Sequence, residues 1–209
     1  MKQLLFLLLP LCLLLASCRA GATEPEQLYL VSAVGFDRTE DGLRVVTEVP
    51  LTRENEADKM EVRVFEGTGT TLADAMDDLR SGLGKKLFFG HCAVAVIGDR
   101  VSGDTLRAVL DFLTDGEIPL SVTVVSAPDA RELLARGSLS APAAGYEIPD
   151  ILRLRMREGG ISVRCRVYEI AAQGSVFSLP RFLPNDPENA EADRFAGERA
   201  FREWKAVDE

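Results

Sequence analysis

The residues of this sequence best suited to chemistry are a histidine and a thiol that stand side by side. Residues 87–98 read LFFGHCAVAVIG, in which His91 is the only histidine of 209 residues and Cys92 is one of four cysteines. An imidazole beside a thiol is typical of a nucleophile with its base, or of two ligands to a metal ion. Both residues can equally be structural.

The neighbouring residues favour the structural interpretation. The apolar run after the pair predicts a buried strand over 86–97, and adjacent side chains on a strand point to opposite faces. His91 would then share a face with Ala93, while Cys92 would share the other face with Val94. A cysteine nucleophile would need another base, and the sequence has no second histidine. We therefore predict that His91 is a structural histidine at the start of a core strand.

A second candidate is the glycine-rich stretch EGTGTTLADA at 66–75, because turns between a strand and a helix can hold phosphate groups. Only Gly67 and Gly69 fit the dinucleotide fingerprint, and Leu72 stands where its third glycine belongs. The sequence also lacks a Gly-Lys-Ser/Thr motif and a Gly-x-Ser-x-Gly elbow. We predict no catalytic residues, no metal site and a protein that is not an enzyme.

A different chemistry is indicated at the N-terminus. Residues 4–15 are apolar without a break, and at ~1.5 Å per residue they span about 18 Å, short of a hydrocarbon core of ~30 Å. This length is typical of a signal peptide. The segment that follows has the form of a lipobox: Leu15, Ala16, Ser17 and Cys18. In such a motif the cysteine sulfur receives diacylglycerol and becomes the mature N-terminus; the alternative is an ordinary cleavage a few residues later.

The charge balance limits the partners. The sequence has 24 basic and 33 acidic residues, a formal net charge of −9. Such a surface repels nucleic acid and as a whole is not attracted to anionic lipid, so we expect no nucleic acid partner and attachment to a membrane through the lipid on Cys18. We expect no other cofactor. Export would permit a disulfide between Cys92 and Cys165, and the sequence leaves that pairing open.

Hydrophobic periodicity predicts an α/β protein with a mixed sheet and flanking helices. Residues 28–51 are typical of a β-hairpin around an Asp-Gly turn. A strand over 60–67 then begins an alternation of strands and helices, which favours parallel pairing. The alternating segment 161–170 is predicted to be a further strand. The tail from 179 is polar and proline-rich, and we predict that it adds little to the core.

These sequence patterns divide the chain into five segments. A signal peptide occupies 1–17 and a tether 18–27. The N-terminal mixed α/β domain spans 28–137. A linker rich in Ala, Pro, Gly and Ser covers 138–150, and a small partial second domain covers 151–209.

Five stretches carry a resemblance to a known family. They are LASC (15–18), LVSAVGFDRTEDG (30–42), GTGTTLADAMDDL (67–79), KKLFFGHCAVAVIG (85–98) and LRAVLDFLTDGEIPLSVTVVSAPDARELL (106–134). In this order and spacing they resemble the C-subunit lipoproteins of spore germinant receptors, the Ger(x)C family. The resemblance marks four positions as structural signatures: Gly35, Asp37, Gly90 and His91.

The resemblance implies a role without catalysis. Members of that family are membrane-anchored partners of an A-type subunit and a polytopic B-type subunit, which respond to nutrients in dormant spores. It implies a place on the exported face of the inner spore membrane. The sequence departs from the family by lacking a Trp-Asp pair after Cys18 and by stopping at 209, where a C-terminal region is expected to follow. A solute-binding lipoprotein of a transporter is the alternative function.

Overall fold

A computed structural model gives the fold of this chain. It describes residues 25–53, 56–136, 143–159, 164–184 and 194–207. These residues form an eight-stranded mixed sheet with helices on both faces, and a separate two-stranded ribbon. The predicted α/β class is confirmed.

The elements of the described residues follow one another in this order. The strands are β1 (Leu28–Leu30), β2 (Ala33–Arg38), β3 (Leu43–Arg53), β4 (Glu56–Gly69), β5 (Lys86–Phe88), β6 (Val94–Gly98), β7 (Thr123–Ala127), β8 (Val176–Leu183), β9 (Arg194–Arg202) and β10 (Lys205–Ala206). The helices are α1 (Leu72–Ser81), α2 (Gly103–Thr114), α3 (Ala130–Ala135), α4 (Ala144–Arg157) and α5 (Val167–Gln173). Short 3-10 turns occupy Pro25–Gln27 and Phe89–His91.

The sheet has a parallel centre and antiparallel ends. Its strand order is β10-β9-β8-β7-β6-β2-β3-β4. The central strands β2, β6, β7 and β8 run parallel to one another, as expected where helical crossovers separate strands. Strands β3 and β4 continue it on one side as antiparallel neighbours, and β9 and β10 do so on the other. Strands β1 and β5 pair in parallel as the separate ribbon.

The first hairpin is where the sequence places it. Strands β2 and β3 pair from Ala33 opposite Glu48 to Arg38 opposite Leu43. The turn closes through the Thr39 backbone N–H, which donates to the Gly42 carbonyl at 2.8 Å. The first strand of the hairpin predicted over 28–51 is divided into β1 and β2, because β1 pairs with β5 outside the main sheet.

Helix α1 begins at a capping box formed by Thr71 and Asp74. The Thr71 hydroxyl accepts from the Asp74 backbone N–H at 3.2 Å, and the Asp74 carboxylate accepts from the Thr71 N–H at 3.0 Å. The preceding glycines serve the packing of this helix, since a Cβ at Gly67 would overlap the backbone nitrogen of Leu79. The glycine-rich stretch therefore allows β4 and α1 to pack closely, and it does not act as a phosphate loop.

Two hydrophobic clusters lie on opposite faces of the sheet. The first joins the sheet to α1, α2 and α5, with Phe36, Leu106 and Ile170 among its buried side chains. The second joins it to α3 and α4 through Leu134 and Ile148. Each strand of the buried centre therefore supplies alternate side chains to two cores.

The predicted linker at 138–150 is wrong over its second half. Residues 144–150 begin helix α4, and Ala144 and Ile148 are fully buried against the sheet. The first half lies outside the described residues. The alanines and glycine that suggested a linker instead let the start of the helix approach the strands, because a Cβ at Gly145 would lie 2.6 Å from the Ser32 carbonyl oxygen.

Two further predictions for the C-terminal part are wrong. Residues 167–173 form helix α5 and not a strand, and this helix is capped by the Glu169 carboxylate, which accepts from the Arg166 backbone N–H at 3.0 Å. The tail contributes strongly to the cores, since Phe182 and Phe201 on β8 and β9 are among the largest fully buried side chains. The predicted division of the chain near 150 does not interrupt the sheet, because β8 pairs with β7.

A cluster of ion pairs fastens these last strands to the end of β6. The Asp99 carboxylate accepts two hydrogen bonds from the Arg181 guanidinium, at 2.6 and 2.5 Å. Arg199 donates to the same carboxylate at 2.6 Å and to the Asp99 carbonyl at 3.1 Å. All three side chains are partly buried, a setting in which paired Arg–carboxylate contacts hold geometry well.

Candidate functional site

The His91–Cys92 pair lies at a 3-10 turn and not in one continuous strand. Strand β5 ends at Phe88, the turn follows, and β6 begins only at Val94. The aromatic ring of Phe88 folds back over Gly90, where a Cβ would lie 2.5 Å from the ring. The predicted strand at 86–97 is therefore wrong in its middle, where the turn Phe89–His91 interrupts it.

His91 lies in the turn and not at the start of a core strand as predicted. Its side chain is exposed, and its ring packs edge-on against Phe88 with the centroids 5.8 Å apart. Cys92 points inward and joins the cluster that contains Ala95, so it does not share a face with Val94 as predicted. The imidazole and the thiol do not form a dyad. In the described ranges no three His, Cys, Asp or Glu side chains are grouped to hold a metal ion.

The two described thiols are free and buried. Burial raises the pKa of Cys92 to about 12, and burial followed by the nearby Glu169 charge raises the pKa of Cys165 to about 11. Both thiols are therefore protonated at neutral pH. Because the nucleophile is the thiolate and not the thiol, neither cysteine is reactive in this form. The lipobox residues Leu15, Ala16, Ser17 and Cys18 lie outside the described residues, and lipidation stays a prediction.

The ribbon of β1 and β5 has an inner and an outer face. Tyr29 and Leu87 pack on the core from the inner face. The outer face carries Leu28 opposite Lys86 and Leu30 opposite Phe88; we call these four residues the ribbon face. Leu30 is 44% exposed and Phe88 is 42% exposed. This is an apolar surface with a lysine, next to the first described residues of the chain.

The signature residues Gly35 and Asp37 attach helix α3 to β2. The Asp37 carboxylate is buried and accepts from the Ala130 and Arg131 backbone N–H groups, at 2.7 and 3.0 Å. A Cβ at Gly35 would lie 2.9 Å from the Ala130 Cβ, so glycine allows the helix to come this close. The arrangement places a negative charge at the positive end of the helix.

Arg44 completes this attachment from β3. Its guanidinium donates to the Asp37 carboxylate at 3.0 Å and to the Asp129 carboxylate at 2.8 Å. Asp129 is the N-cap of α3, accepting from the Glu132 backbone N–H at 2.8 Å. In the sequence, Asp37 stands out as the single acid after an apolar strand, and that signal does not indicate its contact with α3.

Glu48 makes a similar contact, which the sequence does not predict. This fully buried carboxylate of β3 accepts from the Ser32 hydroxyl at 2.7 Å and from the Ala144 and Gly145 backbone N–H groups, each at 2.9 Å. Burial raises its pKa, and the three hydrogen bonds oppose that rise. An isolated glutamate within LRVVTEVPL was the available signal. Asp37 and Glu48 thus each hold the start of a helix, which is a structural use.

Comparison with known proteins decides the family. A family model described as "Spore germination protein N-terminal domain" matches residues 21–173. The chain belongs to this family. The spore germination protein YfkR of Bacillus subtilis (strain 168) is 26% identical over 135 residues, which cover 59% of this chain and 35% of YfkR. No solved structure matches the chain.

The spore germination domain therefore includes both the ribbon and the helix attachments. The matched residues run from the segment before β1 to the end of α5, and they contain the four signature positions at 35, 37, 90 and 91. Strands β8, β9 and β10 follow the match. Of the helices in the described ranges, none combines the length and apolar character that a membrane crossing needs.

Proposed function

We propose that this chain is the membrane-anchored lipoprotein subunit of a spore nutrient germinant receptor. The observation that carries the proposal is the family match, which begins at residue 21, three residues after the lipobox cysteine Cys18. A germination domain directly behind a lipid attachment site suits a subunit that works at the membrane surface. It would lie on the exported face of the inner spore membrane.

The subunit acts by contact with other proteins, namely the A-type and B-type subunits of the receptor. The described chemistry supports a role without catalysis. Asp37 and Glu48 are engaged with helix starts, His91 has no thiol or carboxylate partner among the described contacts, and both described thiols are protonated. We therefore expect the exposed surface of the domain to contact the partner subunits.

Lipidation of Cys18 is tested by labelling with radioactive palmitate in a spore-forming host. The native chain should carry the label and fractionate with membranes. The Cys18→Ala variant should carry no label and should no longer fractionate with membranes. The matched control is Cys165→Ala, which removes a buried thiol and should keep the label. Label retained by Cys18→Ala would contradict an anchor at this residue.

Receptor membership is tested in spores. Affinity purification of the native chain from detergent-solubilised inner membranes should recover an A-type and a B-type subunit, and spores lacking the chain should respond more slowly to at least one nutrient. Recovery of an ATP-binding cassette transporter with normal germination would instead support the solute-binding alternative. Recovery of neither, with normal germination, would contradict both functions.

A further inference from the structure

The ribbon face is an exposed apolar surface with a basic margin. Leu30 and Phe88 are register partners in parallel strands, so their side chains stand next to each other on the outside of the ribbon. Gly90 gives the Phe88 ring its space, and the exposed His91 ring packs against its edge. Lys86 stands two residues before Phe88 on the same face. Phe and Leu beside lysine are the residue types of elements that lie in a membrane interface.

The position of the ribbon in the chain brings it close to the bilayer. Leu28, where β1 begins, is only the tenth residue after Cys18. A fully extended chain of that length reaches at most about 35 Å, and a flexible one averages roughly 17 Å. A domain of this size has a diameter of roughly 40 Å. The ribbon is therefore held at the membrane side of the domain whenever Cys18 carries lipid.

The local charge is opposite to that of the whole chain. Lys85 and Lys86 are two of only five lysines in the sequence, and both are exposed beside the ribbon. The Lys85 ammonium lies 5.5 Å from the centre of the Tyr29 ring, and within the described residues neither lysine makes an ion pair. They are free to meet an anion.

A groove beside the lysines has room for a lipid head group. Its volume is about 760 Å³, and Arg80, Lys85 and Lys86 are among its lining residues. Glu26 also lines it, and Arg80 is already paired with Glu117 at 2.7 Å. The two lysines are thus the cations available to a ligand. Each lysine near an anionic membrane surface strengthens binding about fivefold.

We propose that the ribbon face lies on the anionic bilayer that holds the Cys18 lipid, with Phe88 and Leu30 in the interfacial layer and Lys85 and Lys86 on lipid phosphates. This inference rests on the proposed lipid anchor. It gives the domain a fixed orientation and leaves the opposite end of the sheet to partner proteins. A bilayer fits this face better than a protein does, because four side chains are far fewer than the roughly 20 residues of a stable protein interface.

The test uses the mature chain coupled through Cys18 to a maleimide lipid in vesicles. Cys92 and Cys165 are buried and protonated, so Cys18 is the reactive thiol. The reporter is a Phe88→Trp variant, read by quenching with brominated lipids. Vesicles contain either phosphatidylcholine alone or a mixture with phosphatidylglycerol. Leu30→Trp is a second reporter, for the case in which a larger ring at 88 disturbs the turn.

The matched reporter is Leu183→Trp. Leu183 is 37% exposed and ends β8, so it lies at the far end of the parallel strands from the ribbon. We expect strong quenching of the Phe88→Trp reporter on anionic vesicles and none for the Leu183→Trp reporter. Replacing both Lys85 and Lys86 by alanine should lower the population of the quenched orientation about 25-fold. Lys205→Ala, which removes an exposed lysine on β10, should leave it unchanged.

Three results would overturn the proposal. They are absence of quenching for both ribbon reporters, equal quenching for the Leu183→Trp reporter, and equal quenching on vesicles without phosphatidylglycerol. The first would assign the face to a protein partner or to solvent. Because chemical coupling supplies the anchor, this outcome is independent of whether cells acylate Cys18, which the palmitate experiment tests by itself.

Discussion

Gly98 faces the carboxylate of Asp37, and a Cβ at this glycine would overlap Asp37 Oδ1. Gly98 is the last residue of β6, and Asp37 is the last but one of the neighbouring parallel strand β2. The space that a side chain at 98 would occupy is used by the carboxylate, which receives the backbone N–H groups of Ala130 and Arg131 there. A glycine on one strand and an acid on the next therefore determine together where α3 begins.

Gly98→Ala should displace this carboxylate and lower the free energy of unfolding by about 2–3 kcal/mol, through steric strain and weakened charge-assisted hydrogen bonds. Urea unfolding followed by circular dichroism measures it. The matched control is Gly84→Ala, since a Cβ at Gly84 would meet no atom within 4 Å. It should stay within about 1 kcal/mol of the native chain. Equal midpoints for Gly98→Ala and the native chain would contradict the steric assignment.

Glu48 should make the stability depend on pH. Its folded pKa is raised above the ordinary value of 4.5, mainly by burial. Between pH 4.5 and the raised pKa, the folded state binds more protons than the unfolded state. The protonated Glu48 side chain therefore contributes stability at low pH, and this contribution declines as pH rises through the folded pKa. Glu48→Gln removes this titration. We expect the stability difference between the native chain and Glu48→Gln to shrink from pH 4.5 to pH 7.

The measurement for Glu48 is urea unfolding at several pH values. Glu40→Gln, which alters an exposed acid in the β2–β3 turn, is the matched control and should follow the native curve throughout. A difference between native and Glu48→Gln that stays constant or grows with pH would show that the carboxylate does not titrate in the expected direction.

The buried thiols should not react in the folded protein. With pKa values of about 12 and 11 for Cys92 and Cys165, on the order of one thiol in a thousand or fewer is ionised at pH 8. A Cys18→Ser chain that begins at residue 18, and so lacks Cys12, should therefore release almost no chromophore from Ellman's reagent until denaturant is added, and then two equivalents from Cys92 and Cys165. Rapid release of one equivalent from the folded chain would show that one thiol is reactive.

Arg181→Ala should loosen the last strands. The variant removes both guanidinium hydrogen bonds to Asp99 and leaves a partly buried carboxylate with one arginine, at a cost of about 1–3 kcal/mol. The matched control is Arg153→Ala, which breaks an ion pair to Asp150 whose side chains are 61% and 67% exposed. It should cost at most about 0.5 kcal/mol. Hydrogen exchange should locate the first effect in β8 and β9; uniform exchange in both variants would argue against a local clamp.

The sequence predicts those elements whose signals are local. The Asp-Gly turn produces the β2–β3 hairpin, and the pair of Thr71 with Asp74 gives the start of α1. The turn at Phe89–His91 interrupts an apolar run, and the Phe88 ring packs over Gly90 only in the folded chain. A run of apolar residues contains no information about such a contact. The same holds for His91, whose exposure follows from that turn.

The predictions for the C-terminal part are wrong for a different reason. The pattern around Val167 and Ile170 fits a helical face as well as an alternating strand, and the burial of these two side chains decides for the helix. Pro180 discouraged a strand assignment for β8, although its neighbours Leu179 and Phe182 are fully buried. The role of Glu48 could not be predicted for the same reason. Its carboxylate binds the start of α4, which lies about a hundred residues later in the chain.

The order of strands in the sheet has a practical consequence for laboratory work. The family match ends at residue 173, one element before β8. A fragment cut there would leave β7 as an unprotected edge in the middle of the native sheet and would remove the buried side chains of Phe177, Phe182 and Phe201 from the two cores. Open edges of this kind recruit other chains. Such a fragment should aggregate on expression, and recombinant material should extend through β10.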